Sequence, residues 1–102
     1  MTAASIDWRP MAGPFGAELT GLDARTLPAA ALVRLVAERQ LVVLRDQAFT
    51  PTTLAAFAAT LGELEVYPYA EPIPGHPHVV AIIKNPEDKA NFGGAWHSDT
   101  TY

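Results

Sequence analysis

Pro68, Pro72, Pro74 and Pro77 crowd into one short stretch of the chain. Proline fixes φ, has no amide hydrogen to donate, and pushes the residue before it out of the helical region. Residues 66–78 are therefore predicted to form an ordered, extended loop, neither helix nor central strand. Regular structure has to be found on either side of it.

Upstream, the spacing predicts a helix over 28–39. Ala29, Leu32, Val33 and Val36 recur at helical intervals and form one apolar stripe, and Pro28 suits the first turn. Leu41-Val42-Val43-Leu44 is a short apolar run with two β-branched residues. It is predicted to be a strand buried on both faces. A second helix is predicted over 51–61: Thr50 is a good N-cap, Pro51 is pre-set for the first helical position, and Leu54, Phe57, Ala58 and Leu61 share a face. Gly62 follows and suits a left-handed C-terminal cap. Residues 5–20 read as strand, turn and strand, broken around Pro10, Gly13, Pro14 and Gly16, with an irregular arm as the alternative. Beyond the proline-rich loop, residues 79–83 (Val-Val-Ala-Ile-Ile) read as a strand, 85–94 as a loop, and 95–102 as the start of another strand. The patterning alone gives a mixed α and β domain.

Composition narrows the chemistry. The chain has 102 residues, enough for one domain with a modest core. Its net charge of −4, without a basic stripe, argues against nucleic acid as a partner. There is no cysteine, so any metal must be held by nitrogen and oxygen ligands. No basic, apolar leader opens the chain and no apolar run is long enough to span a bilayer, so a cytoplasmic protein without membrane partners is expected.

His97 and Asp99 carry the chemical signal. In an extended segment, residues two apart project from the same face. A neutral imidazole and a carboxylate so placed can supply two vertices of a 2-His-1-carboxylate facial triad, the site type of non-haem Fe(II) oxygenases. The tripeptide alone is a weak signal, and a hydrogen-bonded surface pair is the alternative. Its surroundings add weight: Gly93-Gly94 precede it, Trp96 adjoins it, and Thr100, Thr101 and Tyr102 follow. Trp96 itself reads as a core residue.

Asn91 to Tyr102 (NFGGAWHSDTTY) resembles the iron-binding motif of the taurine dioxygenase and 2,4-dichlorophenoxyacetate dioxygenase family. Gly16 to Asp23 (GAELTGLD) resembles that family's early glycine-acidic hairpin. Leu41 to Gln47 (LVVLRDQ), with Thr50-Pro51, resembles its strand and helix start, and Leu61 to Leu64 (LGEL) its helix exit. Four motifs in the same order cover nearly the whole chain.

The resemblance implies an Fe(II)- and 2-oxoglutarate-dependent dioxygenase that hydroxylates a small, anionic organic substrate with O2, giving succinate and CO2. It implies an α+β fold, the N-terminal part of a double-stranded β-helix (a cupin-like jelly roll) with packed helices. It makes His97 and Asp99 metal ligands. Tyr67 falls in the loop that approaches the substrate, where the family often has histidine, and Asn91 falls in the loop before the metal strand; both are candidate substrate contacts. For Tyr67 and its neighbour Tyr69, packing of the proline-rich loop is the alternative role. The third iron ligand and the arginine that binds 2-oxoglutarate are expected beyond Tyr102. Residues 1–102 are thus expected to be the N-terminal portion of one dioxygenase domain, inactive alone, with a homo-oligomer open to the full-length protein. The rival reading is a non-catalytic metal-binding or cupin-like module, which a third ligand from His76 or His78 would support; for these two the alternative is solvated loop histidines.

Overall fold

The computed structural model describes residues 6–90 and 94–98. The chain divides into two compact units, Met1–Glu63 and Leu64–Tyr102.

The first unit is a small α+β arrangement. Its strands are β1 (Arg9–Ala12), β2 (Phe15–Leu19) and β3 (Val42–Leu44); its helices are α1 (Ala29–Arg39) and α2 (Pro51–Ala59). The sheet order is β1-β2-β3. β1 and β2 form an antiparallel hairpin in the register Arg9↔Glu18, Pro10↔Ala17, Ala12↔Phe15. Gly13 opens the two-residue turn at φ 54° and Pro14 follows, the sign pattern of a type II′ turn, whose twist suits a hairpin. Pro10 does not break the chain as expected. It lies within β1, at the edge of the sheet, where its missing amide hydrogen deprives no neighbour on the open side.

β3 pairs with β2 in parallel, Ala17↔Val42 through Leu19↔Leu44. The Ala17 amide donates to the Leu41 carbonyl at 2.8 Å, and the Arg45 amide to the Leu19 carbonyl at 3.0 Å. β3 was expected to be buried on both faces. It is half-buried, because it forms the other edge of the sheet.

Alternation along β2 sets the core. Ala17 and Leu19 are fully buried and cluster with Leu35 of α1, with Ile6, Leu22, Leu27, Val42 and Leu44 packed around them. Full burial of a leucine is worth about 1.5–3 kcal/mol, so Leu19 is a principal contributor. Glu18, between them in sequence, points to the opposite face. Its two carboxylate oxygens bind Arg9 at 3.2 Å and Arg45 at 3.1 Å, joining the segments on both sides of β2. The buried face of α1 differs from the expected stripe. Leu32 and Leu35 are buried, whereas Val33 and Val36 are 50% and 42% exposed. The helix turns the residues nearest β2 inward, and the stripe through Val33 and Val36 lies to one side.

The helix ends are built differently. α1 has Pro28 as N-cap without a side-chain bond, and ends on Gln40 in the left-handed region at φ 66°. α2 begins with a capping box: the Thr53 amide donates to Thr50 Oγ1 at 3.1 Å, and the Thr50 amide to Thr53 Oγ1 at 2.8 Å. Its C-terminus falls at Ala59, where the Thr60 hydroxyl donates to the Phe57 carbonyl at 2.7 Å. Gly62 is therefore not the left-handed cap expected of it; the threonine closes the helix earlier.

In the second unit, the proline-rich stretch is a loop, as its composition requires. Its tip is an Ile73–His76 bridge around Gly75, whose φ is 81°. Residues 79–83 are not a strand. Ile82 and Ile83 are exposed, and no ladder partner lies beside them among the described residues. Residues 94–98 are likewise outside any strand, and the rest of the strand expected over 95–102 lies outside the described residues.

Candidate functional site

His97 is exposed, and its Nδ1 lies 2.7 Å from the Ala95 carbonyl oxygen. A carbonyl only accepts, so Nδ1 carries the hydrogen. In the neutral ring the lone pair then belongs to Nε2, the nitrogen offered to a divalent metal. A backbone carbonyl holding the other ring nitrogen is a common way of orienting a ligating histidine. The His97 side chain thus fits one vertex of a nitrogen and oxygen metal site. It does so from irregular backbone just after a bend at Ala95, not from the strand face that the His-x-Asp spacing suggested. Asp99 lies outside the described residues, as does Asn91.

The other nominated residues belong to the proline-rich loop. Tyr67 is half-buried and meets Tyr69 edge to face, with ring centroids 5.5 Å apart and planes at 74°. This contact is the loop packing that stood as the alternative role for both tyrosines. His78 Nδ1 donates to the Glu65 carbonyl at 3.1 Å, tying the far end of the loop to its start. His76 sits in the bridge at the tip, its amide donating to the Ile73 carbonyl at 2.8 Å. Among the described residues no three histidine, aspartate or glutamate side chains gather into a metal-sized cluster. His76, His78 and His97 therefore do not form a ligand triad with one another. Trp96 is fully exposed, so the core role read from its sequence is not met.

The sequence reading did not single out a polar cleft in the first unit. It has a volume of about 360 Å³ and is lined by Gly21, Asp23, Arg25, Arg45, Asp46 and Gln47 among others. Gln47 holds its walls together. Its Oε1 accepts from the Ala24 amide at 2.8 Å, and its Nε2 donates to the Leu22 and Arg45 carbonyls, each at 2.8 Å. Asp23 caps a short 3-10 helix, Ala24–Thr26, accepting from the Arg25 amide at 2.9 Å. The Arg25 guanidinium grips the same carboxylate, with Nη2 2.6 Å from Oδ2. That side-chain bond, helped by the backbone amide, brings the Asp23 carboxyl down to about 2 and pushes Arg25 above its ordinary value. Arg45 is committed to Glu18. The arginines of the cleft are thus already neutralised by the protein's own carboxylates, and the Asp23–Arg25 pair acts as a local staple. A sequence signal did exist: an aspartate two residues before an arginine at a helix start.

No helix among the described residues is long and apolar enough to cross a membrane. Compared with known families, residues 7–102 match the one described as "Taurine catabolism dioxygenase TauD, TfdA family".

Proposed function

Because the chain belongs to the taurine catabolism dioxygenase TauD, TfdA family, we propose that it is the N-terminal portion of an Fe(II)- and 2-oxoglutarate-dependent dioxygenase domain. The reaction is hydroxylation of a small, anionic organic substrate by O2, with succinate and CO2 as co-products. The family match over residues 7–102 is the observation that carries this reading. The completed domain is a double-stranded β-helix in a cytoplasmic enzyme.

His97 and Asp99 hold the metal and are two of its three protein ligands. The Nδ1 bond to Ala95 supports this role, since it directs the lone pair to Nε2. Fe(II), when bound, supplies the redox chemistry together with 2-oxoglutarate. The chain's own work is to present the ligands, orient the substrate and limit water. Tyr67 and Asn91 contact the substrate, the Tyr67 hydroxyl donating a hydrogen bond to its anionic group.

Metal titration of the purified chain with Co(II), followed by absorption, tests this reading. His97→Ala and Asp99→Ala weaken binding by at least tenfold, and His76→Ala and His78→Ala leave it unchanged. Equal weakening by the His76 and His78 substitutions establishes the metal-binding module instead. With two ligands the 102 residues alone do not turn over 2-oxoglutarate, and succinate release by the purified chain would overturn that expectation.

A further inference from the structure

We draw no further inference here: the strongest candidate, the apolar groove of about 310 Å³ between α1, β3 and α2 lined by residues such as Val33, Val36, Val42, Leu44 and Phe57, carries none because nothing in the structure shows what covers it.

Discussion

The guanidinium of Arg39 lies over the indole of Trp8, 4.8 Å from the ring centroid, while it also holds the turn of the hairpin. Its Nη2 donates to the carbonyls of Gly13 at 2.8 Å and Gly16 at 2.9 Å, and its Nε donates to Gly16 at 3.1 Å. A planar fork makes both sets of contacts at once, which an ammonium cannot do. Arg39→Ala is expected to lower stability by about 1.5–3 kcal/mol, the range for hydrogen bonds to charged groups. Arg39→Lys recovers less than half of that. Trp8→Leu keeps apolar bulk and loses the cation–π part, about 0.5–1 kcal/mol. Urea unfolding of the single and double variants measures the coupling, and additive losses would contradict it.

Gly13 and Gly16 stand close together in the hairpin but differ in what surrounds them. Both have positive φ, 54° and 83°, so an alanine at either carries a backbone cost of about 1–2 kcal/mol. At Gly13 an added methyl meets open space. At Gly16 it lands 3.1 Å from both Cβ and Sδ of Met11, across the hairpin. Gly16→Ala is therefore expected to be the more destabilising, and Met11→Ala in that background to recover part of the difference. Thermal unfolding of these three variants and of Met11→Ala alone decides it; equal losses at the two glycines would refute the role of Met11.

The Asp23–Arg25 staple gives an acid limb. The carboxyl titrates near 2, below its ordinary 3.8. A carboxylate depressed in the folded state stabilises the fold at pH values above about 3.8, and this contribution is lost as pH falls toward 2. The 13C resonance of the Asp23 carboxyl should titrate with a midpoint near 2 in the native chain and move up toward 3.8, without reaching it, in Arg25→Ala, where the backbone amide still donates to the carboxylate. Asp23→Asn should remove this part of the acid dependence. A native midpoint at the ordinary carboxylate value would show that the pair does not persist in solution.

The hydrogen bond from His97 Nδ1 makes a regiochemical prediction. On titration with Zn(II), a diamagnetic probe, the 15N resonance of Nε2 should shift and that of Nδ1 should remain that of a protonated nitrogen. Binding should weaken as pH is lowered, because protons compete for the same lone pair. Perturbation of Nδ1 in place of Nε2 would mean that the Ala95 contact does not orient the ring for a metal.

Much of the first unit can be read from residue patterns. Thr50-Pro51 announces α2, the helical spacing from Ala29 onward announces α1, and the run at 41–44 announces β3. These signals are local: a cap, a period, a β-branched run. What misled was decided by neighbours. Pro10 reads as a breaker until β1 is known to be an edge. Val33 and Val36 read as core until α1 is seen to lay Leu32 and Leu35 over β2. Val79 to Ile83 has the composition of a strand, but a strand also needs a ladder partner, and composition does not supply one. For the site, the sequence nominates His97 because imidazole with a nearby carboxylate is a chemical signal. It does not reveal that the Ala95 carbonyl selects the tautomer, since backbone acceptors have no letter in the alphabet.

The sheet's mixed topology has a consequence for the order of assembly. β1 and β2 are joined by two residues and can pair locally within microseconds. β3 has to be brought back across a 3-10 turn and the whole of α1, and closing that longer loop costs chain entropy before any strand contact repays it. Arg39 stands at the end of α1, just ahead of β3, and its bonds end on the hairpin turn. Its bonds tie the end of α1 to the hairpin, which shortens the stretch of chain still free to search when β3 pairs with β2.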